Sequence, residues 1–128
     1  MREYMGLFRG KRVDNLEWAE GFYVREAGHF IKELPSAVST PIHLVYPDTV
    51  GECTGKSVKT GKVFEGDIGR SIDGLFLVRW DEEKAAFVMD FYDYPYETLY
   101  LEEMWDDAEI IGNIHDNPEL LKGGEENG

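Results

Sequence analysis

The sequence feature that most constrains the fold is a stretch from Cys53 to Trp80 in which glycines separate short apolar runs. Within it, Asp73-Gly74 has the composition of a two-residue hairpin turn, and we predict a type I′ turn there. The run 75–80 that follows is nearly all apolar, which is typical of a central strand. This stretch therefore predicts antiparallel strands joined by tight turns.

Aromatic residues after the turn indicate the core. Trp80 ends the apolar run, and the next segment alternates so that Phe87, Met89 and Phe91 share one side. We predict that Trp80 and Phe87 are core residues of the C-terminal half.

The N-terminal half shows the same period of two. Residues 18–25 alternate between two faces, and residues 29–34 are a suitable hairpin partner. The proline-bracketed connector Ser36–Pro41 is the best boundary candidate, because prolines disfavour strands. Near the end, Asn117-Pro118-Glu119 is a helix N-cap signature and predicts a short helix.

These patterns predict a mainly β fold in a single domain, residues 1–128, built from two small antiparallel β units. The N-terminal β unit is residues 1–50. The C-terminal unit, residues 51–128, is expected to be an SH3-like or related small barrel with a short C-terminal helix.

The charge of the chain is strongly asymmetric. Its net charge is −13, yet residues 1–80 hold 11 acidic and 11 basic side chains. Residues 81–128 hold 15 acidic side chains against Lys84 and Lys122 alone. A field of this sign repels phosphate backbones, so we do not expect nucleic acid as a partner of this half. A solubilising acidic surface is the simplest interpretation.

Aromatic residues accompany these acids between Phe91 and Tyr100. Aromatic side chains supply contact area and carboxylates steer encounter, which suits recognition of a basic protein surface. Filling of the core is the structural alternative. The candidate interaction surface is Asp93, Tyr94, Tyr96, Glu97 and Trp105.

The sequence contains no catalytic, cofactor or metal signature. His29, His43 and His115 lack ligand spacing, and Cys53 lacks a nucleophile motif. Glu65 and Asp67 could share a strand face and act on a water or cation. The structural alternative is preferred, in which Gly66 permits a bulge and Asp67 accepts backbone N–H groups.

The expected location is the cytoplasm of a bacterial host cell. No apolar run approaches the ~20 residues that a membrane helix needs. The N-terminus lacks the apolar region of a signal peptide, and one cysteine fits a reducing compartment.

Three separated motifs resemble one branch of the YopX protein family. The first is Phe8–Asn15 with Glu17-Trp18 and Glu20-Gly21-Phe22. The second is Thr49-Val50-Gly51, Thr54-Gly55, Gly61-Lys62 and Phe64–Ile68, after which Trp80-Asp81 and Phe87 also match. The third is Ile111-Gly112-Asn113-Ile114 with Asp116–Leu121. The resemblance implies a mainly β fold, a phage or prophage origin and no established activity.

We therefore expect a non-catalytic phage or prophage accessory protein that acts through protein contacts on its acidic, aromatic C-terminal surface. The partner is not identified by the sequence, and a homo-oligomer is one form that the contacts could take. Two alternatives remain open. One is a nucleic-acid-binding small barrel that uses the basic region Arg9–Arg12, and the other is an enzyme with a carboxylate site at Glu65 and Asp67.

Overall fold

The computed structural model describes residues 6–33, 41–92, 97–104 and 107–121, and their regular structure is mainly β, as predicted. Two 3₁₀ turns occur at Pro47–Thr49 and Leu101–Glu103, and residues 119–121 are helical. None of the helices in these ranges is long and apolar enough to cross a membrane. The strands are β1 (Phe8–Lys11), β2 (Trp18–Val24), β3 (Phe30–Lys32), β4 (Ile42–Leu44), β5 (Gly51–Val58), β6 (Gly61–Phe64), β7 (Asp67–Ser71), β8 (Gly74–Asp81), β9 (Ala86–Phe91), β10 (Thr98–Tyr100) and β11 (Glu109–Asn113).

The chain divides into two compact units, Met1–Gly55 (unit 1) and Lys56–Gly128 (unit 2). One antiparallel sheet has the order β4-β3-β2-β1-β5-β6, and β5 crosses the boundary between the units. The second sheet, wholly within unit 2, has the order β10-β9-β8-β7-β11. The predicted connector Ser36–Pro41 lies, apart from Pro41, outside the described residues.

The sheet of unit 1 curls back on itself. Beyond the β1–β2–β3–β4 ladders, Arg12 bridges Val45, the N–H of Val13 donates to Leu44 O, and the N–H of Tyr46 donates to Lys11 O. The end of β1 therefore contacts β4, two strands beyond its neighbour β2. The enclosed core is formed by Ala19, Ile31 and Val45, against which Phe8, Tyr23 and Val50 pack.

This curvature depends on a close backbone approach at Gly21. A Cβ at this position would lie 2.1 Å from the carbonyl oxygen of Lys32 on β3, far inside van der Waals contact. A backbone atom cannot rotate away as the end of a flexible side chain can. Only glycine allows β2 and β3 to meet here.

We expect Gly21→Ala to destabilise unit 1 by about 3 kcal/mol, the upper end of the usual cost of overpacking. Gly10→Ala is the comparison, because its Cβ would meet side-chain atoms of Val45 at 3.0 Å, a much milder overlap than 2.1 Å from a backbone oxygen. The control is expected to cost about 1 kcal/mol or less. Thermal unfolding followed by circular dichroism measures both changes. Equal midpoints for the two variants would contradict the close approach.

Unit 2 is organised around β7, β8 and β9. β8 pairs with β7 and β9, β10 adds to β9, and β11 adds to β7 with a bulge between Ile110 and Gly112. The pairings among the described residues leave this an open, small-barrel-like sheet. One face packs on a core that includes Leu101 and Met104 from the second 3₁₀ turn. The buried residues of this core are Val63, Phe76, Val78, Met89, Phe91, Leu101, Met104 and Ala108.

A tight turn joins β7 and β8, but it lies one residue earlier than the predicted Asp73-Gly74 turn and is of a different type. Ser71 pairs with Gly74, so the turn residues are Ile72 and Asp73, and Gly74 begins β8 with φ +114°. A type I′ turn would require a positive φ at Asp73. Asp73 does not have one among the described residues. A type I turn with glycine at its fourth position fits these observations.

The prediction that Trp80 is a core residue is also wrong. Trp80 shares the face of Phe76 and Val78 but is 40% exposed, because it lies at the outer end of β8. Its indole meets the ring of Phe87 edge to face, with 5.1 Å between centroids. Phe87 is partly buried and packs against the core cluster, in agreement with its prediction.

The C-terminal helix begins where the sequence indicates, but the role of Asn117 differs from the prediction. Its Oδ1 accepts the backbone N–H of Asn113 at 3.2 Å and so fixes the chain before the helix. The N–H of Leu120 donates to the backbone carbonyl of Asn117. The asparagine therefore joins the helix start to β11.

Candidate interaction surface

Exposed acidic and aromatic residues of unit 2 lie on and beside the edge strand β10. Among the described residues it is hydrogen-bonded to β9, with Thr98 opposite Asp90 and Tyr100 opposite Val88. The N–H of Phe91 donates to Glu97 O, which continues this ladder. We call Tyr92, Glu97, Tyr100, Glu102 and Glu103 the β10 surface.

Both tyrosines of the β10 surface are open to solvent. Tyr92 is 41% exposed and Tyr100 is 47% exposed. Tyr92 extends the β9 ladder through a hydrogen bond from its N–H to Leu75 O, so its side chain lies on the same sheet face as Tyr100. Two exposed aromatic rings on one face, at this edge of the sheet, provide anchors for a partner.

Two of the carboxylates of this surface belong to the second 3₁₀ turn. Glu97, Glu102 and Glu103 are exposed, and the Glu103 carboxylate accepts the backbone N–H of Tyr100 at 3.1 Å. The buried side chain of Leu101 anchors the 3₁₀ turn on the core. Glu102 and Glu103 are therefore presented from an ordered turn, which lowers the entropy that binding must remove.

A charged network stabilises the sheet beside the β10 surface. The guanidinium of Arg79 donates to both carboxylate oxygens of Asp90, and the Thr98 hydroxyl donates to the same carboxylate at 2.8 Å. The hydrogen bond to Asp90 raises the pKa of Arg79. Asp90 is thus already paired and links β8, β9 and β10, which makes it a structural residue.

Asp81 shows a second electrostatic effect at the end of β8. Its carboxylate accepts the backbone N–H of Lys84 at 3.1 Å, and this bond lowers the pKa of Asp81. Arg79, 3.6 Å away, adds a smaller effect of the same sign. The carboxylate therefore stabilises the β8–β9 turn in its ionised form.

The sequence-based site coincides with the β10 surface at one residue. Glu97 is described and exposed, whereas Asp93, Tyr94, Tyr96 and Trp105 lie outside the described residues. Sequence reasoning did not select Tyr92, Tyr100, Glu102 or Glu103. Alternation between Thr98 and Tyr100 around the apolar Leu99 was a signal for the outward position of Tyr100.

Asp67 is a structural carboxylate, as the preferred interpretation predicted. It is 2% exposed, and its Oδ2 accepts the backbone N–H of Phe64 at 2.7 Å across the turn between β6 and β7. Gly66 has φ +94°, which L side chains rarely adopt, and its N–H donates to Val78 O. Glu65 is only partly buried beside it.

We expect Asp67→Ala to lower the free energy of unfolding by about 1–3 kcal/mol, because the buried N–H of Phe64 would lose its acceptor. Glu65→Ala is the matched control and is expected to change stability by less than about 0.5 kcal/mol. Urea unfolding curves for both variants give the comparison. A stability of Asp67→Ala equal to or above that of the native chain would instead favour a functional carboxylate.

The three histidines have separate partners. His29 Nδ1 is 2.6 Å from the Tyr23 hydroxyl, and His43 Nε2 is 2.5 Å from the Glu33 carboxylate. The backbone N–H of His115 donates to Asn113 Oδ1. Within the described ranges, no group of three or more His, Cys, Asp or Glu side chains could hold a metal ion. Cys53 is buried, in agreement with its prediction.

The basic region Arg9–Arg12 is engaged within unit 1. The guanidinium of Arg9 lies 4.7 Å from the ring centroid of Trp18, and the ammonium of Lys11 lies 5.8 Å from it. Arg12 forms an ion pair with Asp14 at 2.7 Å, which raises the pKa of Arg12 and lowers that of Asp14. Trp18 therefore already has cationic neighbours on its ring.

Asn113 organises the turn after β11. Its Oδ1 accepts the N–H groups of His115 and Asp116, and its Nδ2 donates to the Asp116 carboxylate at 3.1 Å. A Cβ on Gly112 would lie 2.6 Å from Asn117 Oδ1. The motif of residues 111–121 is thus explained as a compact turn that leads into a helix.

A family model described as YopX protein matches residues 11–122, which is most of the chain. None of the curated proteins compared with the chain matches it.

Proposed function

The chain belongs to the YopX protein family, and from this premise we propose that it is a phage or prophage accessory protein that binds a basic protein partner through the β10 surface. It acts in the cytoplasm of the bacterial host and its role is binding rather than catalysis. The observation that carries the proposal is the exposure of Tyr92 and Tyr100 among exposed carboxylates at the β10 edge of the sheet.

The charge distribution supports a basic partner. All of the net charge of −13 arises in residues 81–128, which include the β10 surface. A field of this size attracts a cationic surface over roughly one Debye length, ~10 Å at 0.1 M salt. Attraction of this kind raises the association rate more than it lengthens the lifetime of the complex.

The exposed tyrosines support the short-range part of the interaction. Each ring has an apolar body and a polar hydroxyl, so that it can enter a partly wet interface at low entropic cost. The ring of Tyr100 lies 5.8 Å from the ammonium of Lys84, a distance at which a ring face attracts a cation. A lysine or arginine of the partner would compete with Lys84 for this ring.

The test begins with capture of partners from host lysate on the immobilised chain, followed by titration of the purified partner from about 0.1 to about 1 M salt. Affinity is expected to fall steeply over this range, because the Debye length shortens to ~3 Å. The double variant Asp93→Lys with Glu97→Lys should slow association about tenfold. Tyr100→Ala should chiefly accelerate dissociation.

The matched control is Glu17→Lys with Glu26→Lys, two exposed positions in unit 1. It changes the net charge by the same amount, so it separates the local surface from the overall field. A salt-independent affinity would contradict the proposal, as would an equal effect of the control. In either case the acidic residues would serve solubility.

A further inference from the structure

Unit 1 carries an apolar sheet face that its core does not use. In the ladders of β2, β3 and β4, Phe22 lies opposite Lys32 and Lys32 opposite Ile42. Two residues along, Val24, Phe30 and Leu44 form a parallel row on the same face. We call these six residues the outer face. The inner face of the same strands is the one that holds Ala19 and Ile31 in the core.

The outer face is open to solvent where an ordinary surface sheet is polar. Phe22 is 46% exposed, Ile42 53% and Leu44 48%, whereas Val24 and Phe30 are partly buried. An antiparallel sheet with one solvated face normally alternates apolar inward with polar outward. Strands that are apolar on both sides are expected where both faces are covered.

Lys32 supplies the chemical specificity of this face. It is exposed and stands in the central strand, between Phe22 on β2 and Ile42 on β4. The next residue, Glu33, is bonded to His43. His43 lies opposite Ile31 and therefore belongs to the inner face, so the Glu33 carboxylate is directed away from Lys32. A cation within an apolar surround favours a ligand that is apolar and carries one negative charge.

We propose that the outer face docks an amphipathic α-helix of a partner protein, whose apolar stripe contains one carboxylate that pairs with Lys32. Three strands about 4.8 Å apart and two rows about 7 Å apart provide a platform as wide as one helix, about 10 Å. Helix on sheet is the usual way to cover such a face. This site lies on unit 1 and is distinct from the β10 surface.

The overall charge argues against the other occupants of an apolar face. A second copy brings another net charge of −13, so that two chains repel each other at long range. Anionic lipid and nucleic acid are repelled for the same reason. A helix with a single carboxylate has little charge to be repelled at long range, and that carboxylate is attracted to Lys32 at short range.

The experiment measures binding of the full chain to two dye-labelled helical peptides of about 15 residues by fluorescence anisotropy. Both have a leucine stripe, with Glu at its centre in one peptide and Lys in the other. The Glu peptide is expected to bind about tenfold more tightly than the Lys peptide. Lys32→Glu should reverse the preference, and Ile42→Thr should weaken binding of both peptides about tenfold.

Matched controls come from exposed positions of unit 2. Ile72→Thr alters a residue that is 79% exposed in the β7–β8 turn, and Lys59→Glu alters an exposed residue between β5 and β6. Both should leave the two affinities within about twofold. Thermal midpoints close to that of the native chain are expected for all four variants, because each position is exposed.

Four outcomes would overturn the proposal. The first two are equal binding of the two peptides and a preference that Lys32→Glu leaves unchanged. The third is a concentration-dependent dimer in sedimentation velocity that Ile42→Thr abolishes, which would assign the face to a second copy. The fourth is binding to vesicles of phosphatidylcholine and phosphatidylglycerol that Ile42→Thr abolishes, which would assign it to lipid.

Discussion

The backbone contact between Gly21 and Lys32 determines what unit 1 can be. Because no Cβ separates them, β2 and β3 approach closely and the sheet curls until the residues after β1 bond to β4. A flat sheet of the same strands would leave Val45 and Ile31 without a shared interior. The same curvature displays the opposite side of the strands as the outer face. Core and candidate docking surface are thus two sides of one ladder.

Unit 2 depends instead on paired polar groups within its sheet. Asp67 is buried and accepts a backbone N–H, Asp90 holds Arg79 and Thr98 together, and Asn113 closes the turn after β11. Satisfied groups of this kind specify one register and are costly to disturb. The carboxylates of the β10 surface lie instead before β10 and in the 3₁₀ turn, where they are exposed.

The two candidate surfaces differ in the physics of their recognition. The β10 surface combines carboxylates with tyrosines in the acidic part of the chain, so its encounter with a partner should be governed by salt. The outer face is apolar with Lys32 at its centre. Burial of apolar area should therefore supply most of the binding free energy, and the charge of Lys32 should determine which helix is preferred. On these two proposals, surfaces of unlike chemistry would let one small β protein recognise two kinds of polypeptide.

The sequence by itself determined the mainly β fold, most strand positions, the start of the last helix and the structural role of Asp67, because these follow from local alternation, turn residues and short-range bonding. It also determined that the acidic excess belongs to residues 81–128. Only the tertiary structure decided the exposure of Trp80, since exposure depends on where a strand ends in its sheet. It alone revealed the outer face, because Phe22, Lys32 and Ile42 are distant in sequence and become neighbours only through the register of three strands.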